Sequence, residues 1–548
     1  MARRTIGLWL VAALAVGAAG TVALVRISEE PAPSFRAQMC GLPEEWLLST
    51  QRGYFEERSG QIALLPKQPA YMATGGGGWS HSGPWPYLQD VPLVVYGPGI
   101  VPAVGNIERP VTVADIAPTI AALLHGQVSD SDGTPLAEVA NVDEVTLGRK
   151  RPKLIVTIVW DGGGWNTLEQ WPGDWKNLLA MMEGGVSYTN ATVGSNPSVT
   201  PAVHTTIGTG VFPWKHGVTG VPVRDEQGEV VDSFLEGESS RFIRVPTIAE
   251  RWDEQNGQRA LVGMLGYEPW HLGMIGQGAE RPTGDKDHGI WLNTETNEWK
   301  TNPSHYSLPA SVTSVGGLEE YIAELDAADG AVDEAWLDNE ILGTVDRWEE
   351  TPAFIRFHRE VMENMIAEEG YGDDRITDLL FTNFKQIDRV GHYFNMDSEE
   401  VNQSLLMTDS MLGEFLEFLD DEVGRGDYVV FLTADHGQQP DAPDVNGYAI
   451  DPNEVKADIN AEFGEVTRAV WPTEVFLLED EMAELGVTVE DVARFLSTYT
   501  VGDNLSDPNT FTGTFSPSDR IFALSTPSSF LTSFDPRIGD SCGAENGA

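Results

Sequence analysis

The 548-residue chain predicts an α/β fold, a three-layer α/β/α sandwich around a mostly parallel sheet with an inserted cap, and three observations point to it. Runs such as "LIVTIVW" (154–160) and "VVFLT" (429–433) are apolar but for one threonine each, which suits strands buried on both faces of a parallel sheet. Segments of helical period follow them, as where Val401, Leu405, Leu412, Phe415, Leu416 and Leu419 share one face. Acidic residues stand directly after the apolar runs, at Asp161 and Asp435.

Taken in order, the chain opens with "MARRTIGLWLVAALAVGAAGTVALVRISEEPAP". Arg3 and Arg4 precede the mostly apolar run Ile6 to Val25, long enough to span a bilayer, with the charge bias placing the body outside the cytoplasm. A cleaved signal peptide is the rival, with Ala13-Leu14-Ala15 as its small-residue site; the apolar run continues past that site, which favours an anchor. Residues 1–27 are therefore expected to be a signal anchor or signal peptide, and 28–39 a spacer. Either reading exports the protein to the cell surface or beyond. Residues 40–125 hold a strand "QIALLP", a Gly-rich loop containing His81, a strand "VPLVVYG" and a helix "TVADIAPTIAALL". Residues 126–150 are polar and weakly periodic, a linker. Core patterning occupies 151–265 and returns over 376–548; between them, 266–375 scatter Trp, His, Asn and Gly and read as a cap rather than core strands.

With 34 basic against 84 acidic residues the net charge is −50, which repels nucleic acid and anionic membrane surfaces. No nucleic-acid partner is expected, and the acidity reads as a solvated surface. Cys40 and Cys542, the only two cysteines, exclude a zinc ribbon or a disulfide scaffold; one disulfide or two unrelated thiols both remain open.

The chemistry gathers at strand ends. Asp161 ends "LIVTIVWDGGG", Asp388 and His392 follow "DLLFTNFKQI" as Asp-x-x-x-His, and Asp435 and His436 end "VVFLTADHG". A single Asp at a strand end is more often a turn or cap residue. Three strands each delivering an acid beyond their carboxyl ends, where α/β sheets bind ligands, favour a site instead. Carboxylate plus imidazole suits zinc, with manganese or iron as alternatives. Two such ions about 4 Å apart clamp the attacking and departing oxygens of a displaced phosphoryl group. "NPSVTPAVHTTIGTG" adds Thr200, by itself ordinary helix-start chemistry, whose alcohol needs metal activation to act as a nucleophile.

Together these motifs resemble the alkaline phosphatase superfamily, in the branch of nucleotide pyrophosphatases/phosphodiesterases and threonine-nucleophile phosphatases. The nucleophile there precedes a histidine by four positions, as Thr200 precedes His204, and a His-Gly element follows, as at His216. The resemblance implies two divalent metal ions, zinc first, held by Asp161, Thr200, Asp388, His392, Asp435, His436 and one more histidine. The family has that histidine after Asp-His-Gly, but none follows His436 here. His81, in "GGGGWSHSGPWPYLQDVPLVVYGPGI", supplies it if residues 41–125 are the family's last segment moved to the front by circular permutation. A Cys40–Cys542 disulfide would then restore the lost connection.

Two departures bear on substrate. Val221 stands where the family places a phosphoryl-binding Asn, and Tyr267 and Pro269 stand where threonine-type monoesterases carry Lys-x-Arg. A monoester dianion needs more cationic help than a diester, so diester or pyrophosphate hydrolysis of a small-molecule substrate is expected. Tyr267, Trp270 and His271 are candidates to line an organic-group pocket. The alternatives are a phosphomonoesterase or phospho-group transferase of the same fold, and, from another class, an anchored binding protein without catalysis.

Overall fold

The computed structural model describes residues 32–73, 79–140, 150–282, 284–507 and 509–533, and from Pro33 onward they form one compact unit. Two sheets organise it. Their strands in chain order are β1 (Ile62–Pro66), β2 (Asp90–Tyr96), β3 (Gly105–Ile107), β4 (Val111–Thr112), β5 (Leu154–Trp160), β6 (Val186–Thr192) and β7 (Val262–Gly266). They continue with β8 (His288–Asn293), β9 (Glu298–Lys300), β10 (Asp378–Phe384), β11 (Tyr428–Thr433), β12 (Thr467–Trp471), β13 (Glu474–Leu477) and β14 (Phe522–Pro527).

The large sheet runs β9-β8-β7-β10-β5-β11-β2-β6-β3, with β4 also on β6. It is mixed. β8, β7, β10, β5 and β11 are parallel, whereas β2 is antiparallel to both neighbours, β11 and β6. The mostly apolar runs follow from burial on two faces. Ile155 and Val159 point into a cluster with the helices Ile116–Leu123, Thr200–Thr209 and Ile248–Gln255. Val156, Ile158 and Trp160 point the other way, toward the helices Lys176–Gly184, Pro352–Glu369 and Glu399–Leu419. Each large apolar side chain so buried contributes about 1.5–3 kcal/mol.

The small sheet, β12-β13-β1-β14, is antiparallel, with β1 inside it. The segment 40–125 thus places one strand in the interior of each sheet. The helix Glu44–Gly53 also abuts the loop before Thr200: Asn196 N–H donates to Ser49 O (2.9 Å), and Arg52 donates to Gly194 O (3.1 Å). A Cβ on Gly53 would lie 1.7 Å from Asn196 O, so only glycine admits this approach.

Several expected boundaries move. β8 and β9, inside the supposed cap, extend the large sheet; their Trp, His and Asn content hid them because edge strands are not uniformly apolar. Residues 35–39 of the expected spacer are helical, with Phe35 and Met39 buried. The expected linker packs back through Leu136, Val139 and Ala140, while 141–149 lie outside the described residues. The apolar run Ile6–Val25 and Cys542 also lie outside them, and no helix among the described residues is long and apolar enough to cross a membrane.

Candidate metal centre and cavity

One edge of the large sheet collects the candidate residues. β5, β10, β11 and β6 end there and lead to Asp161, Asp388, Asp435 and Thr200; antiparallel β2 begins there, which is why His81 arrives from its N-terminal side. Backbone bonds fix the strand ends together: Asp161 N donates to Phe384 O (3.0 Å), Asp388 N to Asp161 O (3.1 Å), and Gly164 N to His436 O (3.0 Å). Gly162 adopts φ +69°, and a Cβ there would lie 2.9 Å from Asp388 Cα, so the residue after Asp161 must be glycine.

Two donor sets result. In the first, helical spacing brings His392 Nε2 to 3.3 Å from Asp388 Oδ1, and His81 Nε2 lies 3.7 Å from the same oxygen. His81 Nδ1 donates to Ser198 O (2.9 Å), which leaves Nε2 as the free lone pair facing the centre. In the second, His436 Nε2 lies 3.4 Å from Asp161 Oδ1 and 3.5 Å from Asp435 Oδ2. The His81 and His436 rings stack with centroids 3.5 Å apart, so the sets adjoin. His204 and His271 form a further cluster with Asp161, their Nδ1 atoms 3.0 Å apart.

The electrostatics call for cations. Burial and the Asp161 charge push Asp435 up to about 7. Burial opposes a charge on His436, yet Asp435 and Asp161 push it up to about 9. Burial would raise Asp161 as well, but Lys385 holds it below the usual carboxylate range. Asp435 Oδ2 and His436 Nε2 are buried without any hydrogen-bond partner. Orphaned donors of this chemistry fit a divalent metal ion.

Thr200 opens the helix Thr200–Thr209, at its partially positive end. Its Oγ1 lies 3.5 Å from Asp161 Oδ2 and accepts a hydrogen bond from Lys385 Nζ (3.1 Å). Thr200, His81, Asp388 and His392 all border a cavity of about 320 Å³ walled by Val221, Tyr267, Trp270 and Trp471.

The structure therefore brings Asp161, Thr200, Asp388, His392, Asp435, His436 and His81 together. Tyr267 and Trp270 border the cavity as expected. His271 does not: it is fully buried against His204 behind the Thr200 helix, in the cluster with Asp161 rather than at the cavity wall. His216 likewise serves the fold, bonding Thr206 Oγ1 (3.1 Å) and accepting the Val218 N–H (3.1 Å). Sequence reasoning missed two residues. Asn383 donates to Asp161 Oδ2 (2.9 Å), and the buried Lys385 reaches both donor sets. Lys385 stands three residues before Asp388, directly ahead of the helix Gln386–Phe394, a place that in sequence carries no sign of an inward turn.

Comparisons with known proteins bear on the family and the fold. The sequence profile of the family "Type I phosphodiesterase / nucleotide pyrophosphatase" matches residues 155–510, about two thirds of the chain. The alkaline phosphatase PafA of Elizabethkingia meningoseptica is 24% identical over 406 residues, 64% of this chain and 73% of that protein. A protein named calcium-transporting ATPase from Myroides odoratus is 23% identical over 340 residues, 53% of this chain and 60% of that one. The crystal structure of wild-type PafA superposes with a TM-score of 0.53 at 21% identity, covering 66% of this chain and 78% of PafA. That structural likeness supports the fold.

Proposed function

The chain belongs to the type I phosphodiesterase/nucleotide pyrophosphatase family, and on that premise we propose that it is a metal-dependent hydrolase of phosphoric esters with Thr200 as nucleophile. The observation that carries this reading is the Thr200 hydroxyl, bordering the cavity beside the two donor sets. His81, Asp388 and His392 would hold one divalent ion; Asp161, Asp435, His436 and the Thr200 oxygen would hold the other, zinc being the best chemical match. When bound, such ions draw charge from the phosphoryl group and favour loss of the threonine proton.

The chain's own residues do the rest. Thr200 Oγ1 bonds to phosphorus while the ester oxygen opposite leaves with its electron pair; water then cleaves the phosphoryl-threonine and regenerates the hydroxyl. Asp161 and Asn383 hold one side of the site, and the helix N-terminus favours the threonine oxygen as it becomes negative. Val221, Tyr267 and Trp270 offer an apolar and aromatic wall for an organic ester group. With Val221, Tyr267 and Pro269 in place of the family's polar and basic residues, diester or pyrophosphate bonds are the preferred substrates.

The same reading covers the rest of the chain. The interior places of β1 and β2 support residues 40–125 as a permuted last segment. Export through Ile6–Val25, and a Cys40–Cys542 disulfide, complete the proposal from sequence. The test is a zinc-loaded assay on paired aryl phosphate mono- and diesters. Wild type is expected to cleave the diester and Thr200→Ala to lose at least about 1,000-fold. Equal rates for wild type and Thr200→Ala on both substrates would refute the catalytic reading.

A further inference from the structure

Lys385 is the one basic side chain whose charged end lies inside this centre among the described residues. It follows β10 directly and is 4% exposed. Its Nζ lies 2.8 Å from Asp161 Oδ1, 2.8 Å from Asp388 Oδ2 and 3.1 Å from Thr200 Oγ1. It therefore touches one carboxylate of each donor set and the hydroxyl between them. It also borders the cavity.

Two of these contacts are those of a counter-ion, which a buried cluster of three carboxylates needs in any event. The third is not. A phosphorus atom poised for attack lies about 3–3.5 Å from the nucleophile oxygen, so its non-bridging oxygens come within reach of an ammonium bonded to that same oxygen. The side chain is already oriented by two carboxylates, and a preorganised cation costs no rearrangement when charge develops. The positions from which relatives in the resembled family meet the phosphoryl group hold Val221, Tyr267 and Pro269 here, none of them charged.

We propose that Lys385 is a catalytic residue, the protein-supplied cation that meets the non-bridging oxygens of the phosphoryl group at Thr200. This rests on Thr200 as nucleophile. Lys385 then also sets how far the diester preference goes: its single charge favours a dianionic phosphomonoester more than a monoanionic diester, and so narrows that preference without replacing the three groups absent at Val221, Tyr267 and Pro269.

The test compares zinc-loaded wild type with Lys385→Met, which keeps length and removes charge, and with Lys385→Ala. Zinc per chain is measured by atomic emission, and inorganic phosphate affinity by calorimetry. Lys385→Met is expected to keep the wild-type zinc content and fold, and to bind phosphate at least about 10-fold more weakly. It should lose about 100- to 1,000-fold in kcat/KM, more on an aryl monoester than on the matched diester. Ethylammonium in the buffer should restore part of the rate to Lys385→Ala. Phosphate affinity and rate within about 3-fold of wild type would leave Lys385 a mere counter-ion and overturn the proposal. A changed zinc content in Lys385→Met, whether an ion lost or gained, would overturn it too, by making the residue part of the metal site. Thr200→Ala at wild-type rate would refute the nucleophile instead, and phosphate affinity still judges Lys385 there.

Discussion

Glu474 begins β13 at the cavity wall, 7% exposed, and its Oε2 accepts the backbone N–H of Gly60. Burial, only partly offset by that bond and by Arg224, pushes its carboxyl from the ordinary 4.5 up to about 7. The folded chain therefore holds this proton more tightly than the unfolded chain does. Between pH 4.5 and 7 the folded state carries the extra proton, so stability falls as pH rises through that window and the loss is complete above it. A shift of about 2.5 units at about 1.4 kcal/mol each costs the folded state ~3 kcal/mol at pH 8.5 but under ~1 kcal/mol at pH 5. Glu474→Gln removes the ionisation and keeps an oxygen for the Gly60 N–H. With an unfolding entropy of about 1 kcal/mol/K for roughly 500 residues, Gln should raise Tm by ~3 °C at pH 8.5 and by ~1 °C or less at pH 5. Scanning calorimetry of both zinc-loaded proteins at one scan rate, across that pH range, measures the gap. A gap that does not widen with pH would refute the placement of this carboxyl in a desolvated wall.

Other outcomes follow from the same geometry. His81→Ala removes one of three donors from the first set, so zinc per chain should fall while the second set keeps its ion; two tightly held ions in the variant would exclude His81 as a ligand. Gly53→Ala drives a methyl group into Asn196 O, and should destabilise by about 1–3 kcal/mol and slow the reaction by displacing the Thr200 loop; an unchanged Tm would contradict that contact.

The parts of this site that were legible in the sequence share a physical cause. β5 and β11 are buried on both faces, so they read as mostly apolar runs, and an aspartate directly after such a run stands out. His81 had no such flag of its own and was found only because the resembled family demanded one more histidine. Lys385 was invisible for the opposite reason. A lysine ahead of a helix ordinarily faces water, and only the folded arrangement of Asp161, Asp388 and Thr200 reveals that this one turns inward. His271 comes from the same aromatic-rich stretch as Tyr267 and Trp270, but its ring lies under the Thr200 helix beside His204 and Asp161 rather than at the cavity wall.

The pairing of β1 and β2 has a consequence for how the protein is made. Ile62 aligns with Val475 and Pro527, and Leu93 with Thr433, so the first part of the body to be synthesised has its partners in the last. Contacts of such sequence separation form late and slowly. A chain arrested before residue 428 would carry His81 and Thr200 yet lack β11, Asp435 and His436. Assembly of the centre thus reports that translation has passed residue 436, and β1 and the β11-facing edge of β2 must stay soluble and unpaired until their late partners emerge.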